Sequence, residues 1–305
     1  MVLRASMLWL AGNPGAEGLV RRLPVTRPLV ERFVAGEDVE TAIDRTRSIN
    51  SQGMTATLDL LGESVHEEAQ ARSACDAYIA LLDSIQSTGV DSNISIKLTM
   101  IGLDISEDLT WDHLQRIVAR AAELATFVRI DMEGSAYTER TLAMFRRIHD
   151  QHPKAVGIVL QSYLYRTDRD VEEMINRQAR VRIVKGAYKE PETVAYPHKS
   201  DVDAAFRRQV ERLLEAGNYP AIATHDEAVL RVAKGYATRM GIGAERFEFQ
   251  MLYGVRRDLQ EGITREGYNM RVYVPYGTMW YPYFMRRLAE RPANLFFILR
   301  NLARA

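Results

Sequence analysis

Short runs of β-branched and apolar residues recur along this 305-residue chain, separated by longer segments with charged residues. Runs of this kind are typical of strands that are buried on both faces, and such strands form parallel sheets. The pattern predicts eight strands, at residues 55–61, 94–99, 127–132, 157–163, 182–187, 221–225, 247–252 and 271–275.

The segments between these runs carry apolar residues at the spacing of an amphipathic helix. Thr110 and Asp201 stand where helix N-caps are expected, and Gly89, Gly217 and Gly241 stand where helices are expected to end. The pattern predicts helices at residues 66–87, 111–125, 138–150, 170–177, 202–215, 227–239 and 256–265.

Eight alternating strands and helices predict an α/β protein whose sheet closes into a TIM-like (β/α)8 barrel. An open sheet of nine or ten elements is the alternative. Residues 1–53 are predicted to form an N-terminal helical extension, and residues 54–305 the barrel. Pro282 and Pro292 bracket a further helix of about ten residues, which is expected to lie over the C-terminal rim.

Composition narrows the classes of function. Forty basic residues balance forty acidic ones, so the chain lacks the positive surplus that binding to nucleic acid requires. Its apolar stretches are too short or too interrupted for a signal peptide or a membrane-spanning helix. The single cysteine, Cys75, cannot form a disulfide within the chain, which is compatible with the cytoplasm. Its position within a predicted helix favours a packing role over a nucleophilic one.

The catalytic groups of barrel enzymes lie where the strands end, so the strand ends are the place to look for chemistry. Lys97 and Lys185 both occur in apolar strands, where a buried ammonium is costly unless it is paired or used. Each could form a Schiff base, contact an anion, place a charge beside a cofactor, or extend to solvent from the end of its strand.

No metal site is predicted. His225 and the carboxylates Asp59, Asp131, Glu133 and Glu248 lack the spacing of a metal-binding motif. Pairing with arginines or lysines is at least as good an explanation for them. The Gly-x-Ser-x-Gly and Gly-x-Gly-x-x-Gly motifs are also absent, which gives no support to a serine hydrolase or a Rossmann fold.

The helix expected after the last strand carries two polar stripes. Tyr283 and Arg287 are four residues apart, and so are Arg286 and Glu290. Adjacent guanidinium groups match a small carboxylate in geometry and charge. A solvated surface of arginine and glutamate is the alternative, although the neighbouring tyrosines argue for a ligand.

Together these motifs resemble the proline dehydrogenase family, in its short single-function form. The resemblance extends from about Met54 to Asn294. It rests on several separate motifs, at residues 58–63, 95–99, 129–133, 159–163, 182–188, 223–226 and 283–292.

The resemblance implies a distorted barrel that binds FAD and oxidises L-proline to Δ1-pyrroline-5-carboxylate, with electrons passing to a quinone. A separate aldehyde dehydrogenase would then take the product, because the chain lacks the second half of the long bifunctional relatives. The expected setting is the cytoplasm, with peripheral contact at the inner face of the membrane as an option. The apolar segment at 294–300 suits such a contact or a subunit contact, but packing against the barrel is its default interpretation.

The resemblance also implies roles for individual residues. The catalytic positions would be Asp131 and Arg182. The substrate would be held by Lys97, Tyr273, Tyr283, Arg286, Arg287 and Glu290. FAD would be held by Met132, Gln161, Arg182, Lys185, Gly186, Ala187, Thr224 and His225.

Two positions refine this expectation. Tyr273 is typical of members specific for proline, so hydroxyproline should be a poor substrate. Lys189 departs from the tryptophan of the long relatives, so no cofactor contact is carried over to it. Outside the flavoenzyme interpretation, a Schiff-base aldolase using Lys97 or Lys185 and a barrel that only binds a carboxylate remain open.

Overall fold

The computed structural model describes residues 26–62 and 64–290, together with residues 18 and 20. Eight parallel strands pair in chain order and close into a barrel. This confirms the predicted fold and all eight strands, with ends shifted by a few residues. The strands are β1 Thr55–Leu60, β2 Ser92–Ile96, β3 Val128–Ile130, β4 Val156–Gln161, β5 Arg180–Val184, β6 Ala221–Ala223, β7 Glu248–Leu252 and β8 Asn269–Tyr276.

Helices alternate with the strands as predicted. In the described part of the chain they are α1 Arg27–Phe33, α2 Val39–Asn50, α3 Glu68–Thr88, α4 Glu107–Glu123, α5 Thr138–Gln151, α6 Thr167–Asn176, α7 Lys199–Ala216, α8 Glu227–Met240, α9 Arg257–Arg265 and α10 Trp280–Glu290. Short 3-10 turns lie at Leu98–Ile101, Ser135–Tyr137 and Ala244–Arg246.

Two of the predicted N-caps are wrong. Helix α4 begins earlier than predicted, with Ser106 as its cap and Thr110 inside its first turns, where the Thr110 hydroxyl donates to the Ser106 carbonyl. Asp201 likewise lies within the first turn of α7, after the cap residue His198. A threonine or an aspartate can serve in the first turn as well as at the cap, and the sequence does not separate the two positions.

The closure of the barrel departs from regular alternation. Helix α2 packs against β1 and β8, so the seam of the barrel is covered by a helix that precedes the first strand. Helix α10 instead packs with α1 and with residues that follow β1 and β7, which brings it onto the C-terminal rim. Its apolar partners there include Phe33, Leu61 and Val255. The predicted position of the final helix is confirmed, whereas the domain division at residue 53 stays a prediction.

The barrel interior is polar, because charged residues alternate along the strands with apolar ones. Ile94, Val128 and Ile183 belong to the buried core that includes residues of the surrounding helices. Residues between them reach across the barrel to one another: Arg182 of β5 donates to Ser95 of β2 and to Gln250 of β7. The interior is therefore a hydrogen-bonded network that leads up to the rim.

The helices of the described residues include no candidate membrane span, because none combines the required length with the required hydropathy.

Cys75 is fully buried in α3, 3.7 Å from the His113 carbonyl oxygen, which confirms its packing role. Burial also raises the pKa of its thiol to about 11. The segment at 294–300 lies outside the described residues.

Candidate active site

The centre of the candidate site is formed by residues of three strands, with Arg182 and Tyr273 lying within β5 and β8. Asp131, directly after β3, accepts a hydrogen bond from Arg182 Nη1 at 2.8 Å on one carboxylate oxygen. Its other oxygen accepts from the Tyr273 hydroxyl of β8 at 2.6 Å. The Arg182 guanidinium also lies over the Tyr273 ring, 5.0 Å from its centre. The structure thus brings together three residues that the sequence assigned to catalysis and substrate binding.

The protonation state of Tyr273 follows from its surroundings. Burial, followed by the negative charges of Asp131 and Asp59, raises the pKa of this phenol well above its ordinary value. The hydroxyl therefore stays protonated at neutral pH and acts as a donor to Asp131. The carboxylate in turn keeps the tyrosine ring and the guanidinium in contact.

Lys97 lies beside this centre in a second ion pair. Its ammonium group donates to Asp59 Oδ1 at 2.9 Å, and both side chains are buried. Burial acts to lower the pKa of Lys97, but the charges of Asp59 and Asp131 raise it well above its ordinary value. Lys97 is thus a buried ammonium group, and the alternative that it extends to solvent is wrong.

The ends of β4 and β5 carry features that suit a bound polar group. Gln161 is buried, and its Nε2 donates to the Met132 carbonyl oxygen at 3.2 Å. Its Oε1 is buried without a partner among the described residues. Gly186 has φ +117°, and a Cβ there would lie 2.6 Å from atoms of the Tyr163 ring. A side chain at position 186 would clash with the Tyr163 ring, so this backbone conformation requires glycine.

Lys185 forms ion pairs with two carboxylates. Its ammonium group donates to Asp203 at 2.6 Å and to Asp226 at 3.0 Å, on the outer side of the rim. Thr224 supports this cluster, because its hydroxyl accepts from the Asp226 backbone at 3.1 Å. Lys97, Arg182 and Lys185 are therefore each paired with carboxylates.

The other predicted cofactor positions lie along the same rim. His225 Nε2 accepts from the Leu252 backbone at 2.9 Å, which fixes the ring against the end of β7. Ala187 is exposed on the loop after β5, and Met132 is buried after β3. Each of these residues follows a strand end, as the sequence predicted.

The predicted substrate-binding helix is α10. The Arg287 guanidinium lies over the Tyr283 ring, 5.2 Å from its centre, so the predicted stripe is formed. Tyr283 is buried, and Arg286 and Arg287 are half-buried. The side chain of Glu290 lies outside the described part of the structure.

Two residues of this network, Ser95 and Gln250, are not among the site residues that the sequence analysis predicts. Ser95 accepts from Arg182 Nη1 at 3.1 Å and donates to Asp131 at 3.0 Å. Gln250 accepts from Arg182 Nε at 2.6 Å. The available signal was a polar residue at every second position of an otherwise apolar strand. Among the described residues, no group of His, Cys, Asp or Glu side chains could hold a metal ion.

Comparison with known proteins identifies the family. The family model for proline dehydrogenase matches residues 42–300. The chain is 43% identical to the proline dehydrogenase of Deinococcus radiodurans over 98% of its own length and 97% of that protein. It is 41% identical to proline dehydrogenase 2 of Bacillus subtilis strain 168, over 100% of both chains.

Solved structures show the same fold. The proline utilization A protein from Bdellovibrio bacteriovorus, in a crystal structure described as inactivated by N-propargylglycine, superimposes with a TM-score of 0.82 at 26% identity. The match covers 90% of this chain and 33% of that one, so the chain spans about a third of that larger protein. With a family match over most of its length and curated relatives above 40% identity, the chain belongs to the proline dehydrogenase family.

Proposed function

We propose that this protein is a flavoenzyme of proline catabolism, which oxidises L-proline to Δ1-pyrroline-5-carboxylate. The observation that carries the proposal is the contact of the buried Arg182 with the half-buried Asp131 and Tyr273 at the rim of a barrel from this family. The reaction removes a hydride from the ring carbon beside the nitrogen and a proton from the nitrogen, and a C=N bond forms. FAD, when bound, supplies the acceptor for the hydride.

The rim residues fit such a cofactor. Gln161 Oε1 is a buried acceptor without a partner among the described residues, which suits a ring N–H of a flavin. Arg182 Nη2 has no hydrogen-bond partner in the described part of the chain, so it can donate to an acceptor atom of the flavin. Gly186 packs its backbone against the Tyr163 ring, which fixes the path of the loop after β5, and it belongs to the proposed set. Met132, Lys185, Ala187, Thr224 and His225 complete the proposed set.

Binding of the substrate carboxylate is proposed for Lys97, Arg286 and Arg287. Lys97 donates to Asp59 and has two further N–H groups without a partner among the described residues, so it can contact a second anion. Tyr273 and Tyr283 would contact the pyrrolidine ring of the substrate, and Glu290 would support the arginines.

We expect Arg286→Ala to raise KM for L-proline about tenfold or more with unchanged flavin content, because one charged contact is lost. The exposed Arg231→Ala is the control, and unchanged KM in Arg286→Ala would reject this assignment.

An absorbance spectrum before and after addition of L-proline tests the proposal directly. Protein purified with supplementary FAD should show flavin absorbance that bleaches with L-proline and returns with a quinone analogue, which takes up the two electrons. Colourless protein that releases no flavin on denaturation would reject the cofactor. Bleaching without recovery by the quinone analogue would reject only the proposed acceptor. Detection of Δ1-pyrroline-5-carboxylate identifies the product that a separate aldehyde dehydrogenase would consume.

The raised pKa of Lys97 disfavours the Schiff-base aldolase, because an amine must lose its proton before it can attack a carbonyl. Borohydride treatment in the presence of substrate should accordingly leave no mass adduct on Lys97 or Lys185.

Turnover with the quinone analogue distinguishes an enzyme from a barrel that only binds carboxylates. Peripheral contact with a membrane is a further proposal, which liposome binding with and without residues 295–305 would test.

A further inference from the structure

A chain of hydrogen bonds, buried at its Arg182 end and partly buried at its Arg271 end, runs from the candidate site down the inside of the barrel. Arg182 Nε donates to Gln250 Oε1 at 2.6 Å, and Gln250 Nε2 donates to Glu248 Oε1. Glu248 accepts from Arg271 Nε at 3.0 Å, and Arg271 Nη1 donates to the Ala56 carbonyl oxygen at 2.7 Å. We refer to Arg182, Gln250, Glu248 and Arg271 as the buried relay.

The buried relay allows only one orientation of the Gln250 amide. Arginine Nε can only donate, so the oxygen of the amide must face Arg182. An ionised carboxylate can only accept, so the NH2 group must face Glu248. Arg182, Gln250 and Glu248 are 5%, 3% and 2% exposed, so water offers little substitute for these partners.

Glu248 stays ionised despite its burial. Burial acts to raise its pKa, but the Arg271 guanidinium, the hydrogen bond from Gln250 and the charges of Arg129 and Arg180 hold the pKa below its ordinary value. The acceptor on which the orientation of Gln250 depends is therefore present throughout the neutral range. Arg271 is itself fixed to the backbone of β1, so the lower end of the relay is rigid.

The buried relay restrains the Nε edge of the Arg182 guanidinium, to which the rim residues form no hydrogen bond. Nη1 is held at the rim by Asp131 and Ser95. With this contact and the Tyr273 ring alone, the guanidinium could still turn about Nη1, because stacking on a ring does not fix the direction of its other two nitrogens. The hydrogen bond from Nε to Gln250 removes that freedom and sets the direction of Nη2, the nitrogen that has no partner in the described part of the chain.

We propose that Gln250 and Glu248 are positioning residues, which hold the Arg182 guanidinium so that Nη2 faces the reacting groups. The inference rests on the proposed flavin-dependent function and deepens it. Neither residue needs to touch substrate, and both act through Arg182. Small errors in the placement of a charged group cost much of its electrostatic contribution, so the effect should appear in turnover and in the flavin potential.

A reciprocal exchange of the two side chains tests this proposal. In Gln250→Glu a second carboxylate faces Glu248, and repulsion opens the relay. In Glu248→Gln the new amide can turn its NH2 group toward Gln250. The NH2 group of Gln250 then has no acceptor, and the Gln250 amide can flip. Its NH2 group then faces Arg182, which is also a donor. The double variant Gln250→Glu with Glu248→Gln restores every donor and acceptor, because the carboxylate then faces Arg182 and the amide lies between it and Arg271.

We expect each single variant to lower kcat for L-proline about tenfold, with a smaller change in KM. The flavin midpoint potential should fall by about 30 mV, which corresponds to a tenfold change in a two-electron equilibrium. The double variant should recover kcat to within about threefold of wild type. Should a single variant fail to fold, Gln250→Met removes the amide without adding a charge and is expected to show the same losses.

Gln209→Glu is the matched control. Gln209 is also buried and donates to a carboxylate, Asp168, at 2.8 Å, but it lies in α7 outside the barrel. This variant should lose stability and keep the wild-type flavin potential.

Wild-type kcat and potential in the folded single variants would overturn the proposal. A double variant as impaired as the singles would also overturn it. A wild-type protein that binds no flavin, or whose flavin L-proline does not reduce, would instead reject the proposed function.

Discussion

Asp131 joins Arg182 to Tyr273, with Arg182 Nη1 at 2.8 Å from one carboxylate oxygen and the Tyr273 hydroxyl at 2.6 Å from the other. Asp131 directly follows β3, whereas Arg182 and Tyr273 lie within β5 and β8, so the contact exists only when the barrel is closed. One carboxylate thus fixes both a cation and an aromatic ring at the rim. The charge and the shape of this carboxylate can be tested separately.

We expect Asp131→Asn to lower kcat/KM for L-proline about 100-fold with little loss of stability. The amide oxygen can still accept from Arg182, and its NH2 group can donate to the Tyr273 hydroxyl, so the shape is kept while the charge is lost. Steady-state kinetics and thermal unfolding provide the measurements. Asp168→Asn, at a surface ion pair with Arg208, is the control and should keep full activity. Wild-type activity in Asp131→Asn would contradict a role for the charge.

Removal of the lysine from the buried pair of Lys97 and Asp59 should destabilise the protein. Lys97→Met leaves the Asp59 carboxylate buried and unpaired, which should cost about 3–5 kcal/mol of unfolding free energy. The double variant with Asp59→Asn removes the unpaired charge and should recover part of that loss. Urea unfolding of the wild type, both single variants and the double variant measures the coupling. Strictly additive losses would show that the two residues do not stabilise each other.

Gly186→Ala should weaken both folding and flavin binding. Its φ of +117° and the approach of a Cβ to 2.6 Å from the Tyr163 ring predict a loss of about 2 kcal/mol in unfolding free energy. Gly235→Ala is the matched control, because it lies within α8 and a Cβ there would have no neighbouring atom within 4 Å. Helix propensity predicts a gain of about 0.5–1 kcal/mol at this second position. Equal stability of the two variants would contradict the steric argument.

The Lys185 cluster predicts a pH-dependent contribution to stability. Hydrogen bonding from Lys185 lowers the pKa of Asp226 from 3.8. At Asp203 burial acts in the opposite direction, but the hydrogen bonds from Lys185 and Lys199 outweigh it and lower the pKa. A lowered pKa in the folded state stabilises the protein above the unfolded pKa, and this stability is lost as the pH falls through the folded value.

Lys185→Met should therefore reduce the unfolding free energy by about 1 kcal/mol at pH 7, because the pair is partly screened by solvent. The difference from wild type should stay constant down to about pH 5 and shrink below about pH 4.5. Urea unfolding at several pH values gives the measurement. A difference that grows as the pH falls would have the wrong sign for this mechanism.

Much of the fold could be predicted from the sequence, because the strands are continuous apolar runs and the helices have a clear period. The exact starts of α4 and α7 could not, since Thr110 and Asp201 suit a helix cap and a first turn equally well. The position of α2 over the seam between β1 and β8 could not be predicted either. An amphipathic helix shows which of its faces is buried, but it does not show which partner buries that face.

The sequence by itself determined the family, the eight-stranded barrel and the strand ends that carry the candidate site, because these follow from local patterns and contiguous motifs. Only the tertiary structure decided which charges are paired. It assigned Asp59 to Lys97, Asp131 to Arg182, and Asp203 with Asp226 to Lys185. Partners such as Arg182 and Gln250 are far apart in the chain and meet only across the closed barrel. Which side chains face each other there depends on strand register and barrel closure, which no local pattern records.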